Sequence, residues 1–109
     1  MIMDTAVQQK ELLYAKLNLE ASQMPWRELQ RYFAGGTIIT VHDGIDMIEV
    51  AVLIASDDVS AITKMLDERH IEKVTDAQAQ TWLDADADLW AVVVKPWILV
   101  QARKPTVLS

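Results

Sequence analysis

One apolar stretch, residues 37–56, constrains the fold of this chain more than any other feature. Between residues 48 and 54, isoleucine or valine occupies every second position. That spacing places β-branched side chains on one face of a strand, and the intervening positions are also mostly apolar. A strand that is apolar on both faces has to be covered on both faces. The pattern therefore predicts a buried central strand over residues 47–55.

The same residues also satisfy a second interpretation. Asp43 has the side chain of a helix N-cap, with Asp46 three residues later, and the helix that they begin would run through Ala55 as a buried element. The alternation of β-branched residues favours the strand, which Asp43-Gly44 would join to a preceding strand over residues 37–42 as a hairpin turn. We therefore expect a hairpin and keep the buried helix as the alternative.

The N-terminal third of the chain predicts two helices. The first begins at Asp4 or Thr5 and runs to about Ser22, with a broad apolar stripe that we expect to be buried. This stripe comprises Leu12, Leu13, Ala15, Leu17, Leu19 and Ala21. The second helix begins at Pro25, whose fixed φ suits a first helical position, and it ends at Gly35-Gly36. We expect the two helices to pack as an antiparallel pair.

The C-terminal half predicts two more helices and several short strands. One helix follows Asp57 or Asp58 and reaches about Arg69, and the last helix opens at a capping box formed by Thr75 and Gln78. Proline cannot donate to a strand ladder, so Pro96 indicates a bend between the last two strands. The strand-like segments are 71–74, 89–94 and 97–101.

Together these elements indicate an α+β fold with a small, mainly antiparallel sheet of three to four strands and about four helices. Residues 1–104 are expected to form a single domain and residues 105–109 a flexible tail. Four short helices are not expected to cover both apolar faces of the sheet. The sequence therefore predicts a homodimer, closed through a sheet face or through edge pairing along residues 89–101.

Composition and charge exclude several classes of protein. The chain has 109 residues, no cysteine and a net charge of −6, and residues 43–88 alone contain twelve acidic and three basic side chains. Nucleic-acid binding draws its affinity from a basic surface, which this chain lacks, so no nucleic-acid partner is expected. We see no secretion signal and no uncharged apolar run of about 18 residues, and therefore expect a cytoplasmic protein without a membrane partner.

One short segment combines an imidazole with several carboxylates. His42, Asp43, Asp46 and Glu49 have donors suited to a divalent metal ion or to acid–base chemistry, but their spacing matches no known ligand signature. Aspartates in a tight turn also bond to their own backbone, so a purely structural role is the competing interpretation. We expect Glu49 to reach water or to pair with a base, for which Arg27 and Arg31 are the candidates.

No nucleophile motif, phosphate-binding loop or cofactor motif is present, and we expect no cofactor. Trp26, Trp90 and Trp97 are candidates for an interface or a pocket. The leading functional hypothesis is a non-enzymatic module that associates with itself or with a protein partner. The alternative is a small metal-dependent enzyme or ligand-binding protein with a site near His42, Asp43, Asp46 and Glu49. A third hypothesis is the binding of a small ligand between the sheet and Trp26 or Trp97.

Several blocks of sequence resemble a small bacterial family that is catalogued only as a domain of unknown function. The resemblance covers roughly residues 17–101 and is most specific in its last block. The blocks are WRELQRYFAGG at 26–36, IDMIEVA at 45–51, the Asp57-Asp58 pair, Trp82, and PWILVQ at 96–101. It implies a bacterial, cytoplasmic, single-domain protein with no assigned activity, and so it supplies no catalytic residues.

Overall fold

A computed structural model describes residues 5–102 of the chain. These residues form five helices and five strands, which confirms the α+β class and adds a strand and a helix to the expected set. The helices are α1 (Thr5–Glu20), α2 (Trp26–Ala34), α3 (Met47–Ala55), α4 (Val59–Asp67) and α5 (Asp76–Asp84). The strands are β1 (Ser22–Pro25), β2 (Ile38–Val41), β3 (Ile71–Lys73), β4 (Asp88–Val94) and β5 (Trp97–Gln101).

The five strands form one mixed sheet in the order β1-β4-β5-β2-β3. All neighbouring strands are antiparallel except β2 and β5, which run parallel with Ile38 opposite Ile98. A tight turn that contains a cis Lys95–Pro96 peptide joins β4 to β5, so Pro96 lies at a bend as expected. Both β4 and β5 lie inside the sheet with a strand on either side, and edge pairing along residues 89–101 is therefore not available to a second chain.

Three helices cover one face of the sheet. Helix α3 lies directly on β4 and β5, with α1 on one side of it and α4 on the other. Side chains of β2, β4 and β5 that alternate along each strand, including Val41, Val92 and Leu99, pack against α3 in a single apolar cluster. This arrangement buries most of α3 and leaves only Glu49 and Ala55 exposed.

The remaining two helices cover the opposite face. Trp26 and Leu29 of α2 and Ala79 of α5 pack on the other set of alternating strand residues, among them Leu89 and Val100. Helices α1 and α2 therefore lie on opposite faces of the sheet, and the antiparallel pair expected from the sequence is wrong. The expectation that a sheet face would be left uncovered is also wrong, because each face has its own layer of helices.

Residues 47–55 form helix α3, so the prediction of a buried central strand there is wrong. The Asp46 side chain accepts hydrogen bonds from the backbone N–H groups of Ile48 and Glu49, at 2.9 and 3.4 Å, and so caps the helix. The alternative helix was therefore correct in kind, although Asp46 and not Asp43 is its cap. A helix that is apolar nearly all round is stable when it is buried, and neighbours on three sides bury α3.

Other boundaries agree more closely with the sequence. Asp58 caps α4, and Thr75 and Gln78 form the expected capping box of α5. Strand β1 was not expected. Asp4 and the tail at residues 105–109 lie outside the described residues. No helix within residues 5–102 is long and apolar enough to cross a bilayer.

Candidate functional site

The four polar residues singled out near His42 take up separate roles. The imidazole Nε2 of His42 lies 3.2 Å from Glu72 Oε2, in an exposed pair between β2 and β3. The carboxylate of Asp46 caps α3, and Asp43 lies in the turn between β2 and α3. Glu49 is exposed on α3 and faces the groove beside α1. Within residues 5–102 no three histidine, aspartate or glutamate side chains come together in a way that suits a metal ion.

The expected partners of Glu49 lie elsewhere. Arg27 pairs with Asp86 at 3.3 Å, and Arg31 lies over the ring of Tyr32 at 4.8 Å from its centroid. Both arginines belong to α2, on the opposite face of the sheet from α3. Neither arginine is therefore the partner of Glu49, and its exposed side chain reaches water, which was the other expectation.

The three candidate tryptophans differ in exposure. Trp26 is only 1% exposed and packs against Phe33 and Trp82, with ring centroids 5.7 and 5.1 Å away, so its indole belongs to the core. Trp90 is half-buried at the edge of the cluster around α3. Trp97 is half-buried as well, and it forms part of a groove wall.

Trp97 lines a groove of about 260 Å³ between α4 and the sheet. Its lining is mainly apolar, and the Lys73 amine lies 5.8 Å from the centre of the Trp97 ring. The lining residues are Ile39, Ile54, Asp57, Asp58, Val59, Ile62, Thr63, Leu66, Ile71, Lys73 and Trp97. The groove therefore offers an apolar floor with charges of both signs.

A second groove, of about 440 Å³, separates α1 from α3 and contains Tyr14. The Tyr14 hydroxyl donates a hydrogen bond to Asp46 Oδ2 at 2.5 Å. This bond, with burial and the negative charges of Asp46 and Glu49, raises the pKa of Tyr14 to about 12. The phenol therefore stays protonated over the physiological range and acts as a donor that fixes α1 to the start of α3.

The outer side of α1 carries the most exposed leucines among the described residues. Leu12 is 71% exposed and Leu19 is 85% exposed, and Ala15 lies exposed between them. Residues at positions i, i+3 and i+7 share one side of a helix, so the three form a continuous apolar stripe, which we call the outer stripe. These residues were expected to lie in a buried stripe, and for Leu12, Ala15 and Leu19 that prediction is wrong.

Helix α1 is apolar on two sides. Leu17 is buried on its inner side, where Leu13 and Tyr14 also pack against the cluster around α3. Charged side chains flank the outer stripe, with Glu11 and Lys16 on opposite edges and both exposed. Neither side chain forms an ion pair or hydrogen bond with another described residue.

Comparison with known proteins places the chain in a family. A model of the family described as "Protein of unknown function (DUF2288)" matches residues 12–102. The NMR solution structure of PA1075 from Pseudomonas Aeruginosa is similar, with 36% sequence identity and a TM-score of 0.75 over 98% of this chain and 100% of that chain. No curated protein matches. On the family match and this level of identity, the chain belongs to the DUF2288 family of proteins of unknown function.

Proposed function

We propose that this protein is a non-enzymatic interaction module that forms a homodimer through the outer stripe of α1. One observation carries the proposal: Leu12 and Leu19, at 71% and 85% exposure, lie seven residues apart on a helix whose other side is already packed in the core. Exposed leucines that stand alone are ordinary, whereas leucines aligned on one helix side match the pattern by which helices recognise each other.

The burial of the exposed leucines sets an upper limit on the affinity of such a dimer. Burying a leucine side chain fully contributes about 1.5–3 kcal/mol, and a two-fold contact through the outer stripe buries four leucines. Association itself costs about 4–15 kcal/mol in lost translational and rotational freedom. Only the most favourable ends of both ranges leave a net gain, of about 8 kcal/mol, which corresponds to a dissociation constant of about 1 μM, so a dimer through these leucines alone is micromolar at the tightest.

The other exposed apolar residues are less suited to self-association. Val59 and Leu66 border the α4 groove, and Leu83 and Val93 lie on separate elements, α5 and β4. Val59 and Leu66 also lie seven residues apart on one side of α4, but Ile62 between them packs against the cluster around α3, so the domain's own core already covers part of that side. The sheet faces and the central strands are covered, so the outer stripe is the surface best suited to self-association.

Sedimentation velocity over a range of concentrations tests the proposal. We expect the wild-type protein to shift from a 12.3 kDa particle towards twice that mass as its concentration rises. The double variant Leu12→Gln/Leu19→Gln should remain monomeric at every concentration. Leu83→Gln, which alters a leucine that is 41% exposed on α5, is the matched control and should associate like the wild type. A wild-type protein that stays monomeric at millimolar concentration would rule out the proposal.

The groove beside Trp97 favours a second candidate function, the binding of a small amphipathic ligand. Its floor is apolar, and Lys73 and Asp57 supply opposite charges at its rim. A zwitterion with a large apolar side chain, such as free phenylalanine, fits both features. Calorimetric titration with phenylalanine should show binding that Lys73→Gln weakens and that Lys64→Gln, on α4, leaves unchanged. Equal binding by both variants, or no binding at millimolar ligand, would remove this candidate.

A further inference from the structure

The charges that flank the outer stripe carry an inference about how two copies meet. We propose that the α1 helices of two protomers pair in parallel and in register, with Glu11 of each protomer bound to the partner's Lys16. This inference rests on the proposed self-association and specifies its geometry. It fixes the two-fold axis of the dimer along the direction of α1.

The spacing of the stripe corresponds to the core positions of a coiled coil. With Leu12 and Leu19 at successive a positions, Ala15 falls at d. Leucine and alanine at these positions alternate a large and a small side chain along the seam, which lets two helix axes approach at the alanine. Since α1 is already folded on its own domain, pairing does not have to meet the cost of forming the helix.

The same register gives Glu11 the g position and Lys16 the e position of the next heptad. In a parallel coiled coil, the g residue of one helix lies beside the e residue that is five positions later on the other helix. Glu11 and Lys16 are five residues apart and of opposite charge, so a two-fold dimer forms this ion pair twice. Both side chains are exposed and have no partner among the described residues, so pairing breaks no interaction that they already make.

An antiparallel pairing of the two α1 helices fits the charge pattern less well than a parallel pairing. Two α1 helices that run in opposite directions and cross at Ala15 would bring Leu12 against the partner's Leu19, which is acceptable packing. In this orientation the e positions of the two helices face each other, and so do the g positions. Lys16 therefore faces the partner's Lys16. Like charges held together across an interface disfavour that arrangement. The charge pattern therefore selects the parallel orientation.

Disulfide trapping distinguishes the two orientations. The chain has no cysteine of its own, so a disulfide in a single-cysteine variant can form only between the introduced residues. In the parallel dimer, Leu12→Cys should link to Leu12→Cys and Leu19→Cys to Leu19→Cys under mild oxidation, because equivalent core positions lie within disulfide reach. Seven residues of helix span about 10 Å, which is too far for a link between residues 12 and 19 in this register. The antiparallel dimer gives the opposite pattern, in which only a mixture of the two variants links efficiently.

Charge exchange provides the second readout. Glu11→Lys and Lys16→Glu should each weaken the dimer by about fivefold or more at low salt, because each turns two attractions into repulsions. The double variant Glu11→Lys/Lys16→Glu should recover the wild-type dissociation constant. Circular dichroism of each variant would confirm that α1 remains helical.

The outcomes separate the orientation from the self-association on which it rests. Disulfide links that form only between residues 12 and 19 would overturn the parallel pairing. Single charge variants that associate like the wild type would overturn it as well. Neither result would contradict the formation of a dimer. Complete absence of a dimer overturns both. Links between equivalent positions together with recovery in the double charge variant establish the parallel arrangement.

Discussion

The Tyr14 hydroxyl lies 2.5 Å from Asp46 Oδ2, while the other carboxylate oxygen of Asp46 accepts the N–H of Ile48 at 2.9 Å. One carboxylate therefore caps α3 and also holds α1, which is 32 residues away along the chain. Because α1 is apolar on two sides, burial alone does not decide which side faces the core. The bond from Tyr14 adds a directional contact that turns Leu17 inwards and leaves the outer stripe exposed.

A double-mutant cycle should detect this link as a coupling free energy. Tyr14→Phe removes the donor, and Asp46→Ala removes both the acceptor and the α3 cap, the latter worth about 1 kcal/mol. The two changes together should destabilise less than the sum of the single changes, by about 1–2 kcal/mol, as measured by urea unfolding. Tyr32→Phe with Asp46→Ala is the control and should show additive effects. Additivity in the Tyr14 cycle as well would contradict the link.

The raised pKa of Tyr14 predicts how stability changes in alkaline solution. The folded protein holds the phenol proton up to a pKa of about 12, above the unfolded value of 10.0. The contribution of this group to folding is therefore fully present below pH 10 and is lost as the pH rises towards 12. The difference in unfolding free energy between the wild type and Tyr14→Phe should shrink over that interval.

The chain has only two tyrosines, so their titration can be followed by absorbance near 295 nm. We expect one tyrosinate transition to occur late in the folded protein, and this late transition should be missing in Tyr14→Phe. Persistence of the late transition in that variant would show that another group, and not Tyr14, is responsible.

Gln101 holds the loop that leads into α3. Its side chain is 2% exposed, and its Nε2 donates to the carbonyl oxygens of His42 and Ile45 at 2.9 and 2.8 Å. Gln101→Met keeps the length of the side chain but leaves both carbonyls without this donor, so we expect a loss of about 1–3 kcal/mol in unfolding free energy. Gln80→Met, at an exposed position on α5, should change stability by less than about 0.5 kcal/mol.

Gln101→Glu should cost more than Gln101→Met, because it places a carboxylate against two carbonyl oxygens. Chemical denaturation of the three variants under the same conditions measures the order. If Gln101→Met and Gln80→Met had equal stability, the proposed role of Gln101 in fixing the loop would be incorrect.

The sequence predicted those elements whose ends carry a local signal. Asp58 caps α4, and Thr75 with Gln78 opens α5, because these side chains bond to backbone groups only three residues away. The strands at β4 and β5 were also found, since valine, isoleucine and leucine dominate both. Local chemistry was sufficient for these elements.

Residues 47–55 were assigned incorrectly because nearly every side chain in the segment is apolar. When only one position in nine is charged, a period of two and a period of 3.6 fit equally well, and periodicity cannot distinguish a strand from a helix. The distinguishing signal was the pair Asp46 and Glu49, which has the spacing of an N-cap and an acidic residue in the first turn.

The remaining features depend on contacts between distant parts of the chain. Strand β1 has the sequence SQMP, without a β-branched residue, and it is a strand because Ser22 and Met24 pair with Ala91 and Leu89 of β4. The parallel pairing of β2 with β5 likewise joins segments some 60 residues apart. The exposed side of α1 could not be recognised either, because the sequence shows two apolar stripes on that helix without showing which of them meets the sheet.

Chemical-shift mapping by NMR as a function of protein concentration tests the central claim most directly. Amide resonances of Leu12, Ala15, Lys16 and Leu19 should move together as the protein is concentrated from micromolar to millimolar, while those of Val59 and Leu66 on α4 stay fixed. Such a pattern would locate self-association at the outer stripe of α1. Spectra that do not change over this range, or changes centred on α4 or on the sheet edges, would contradict it.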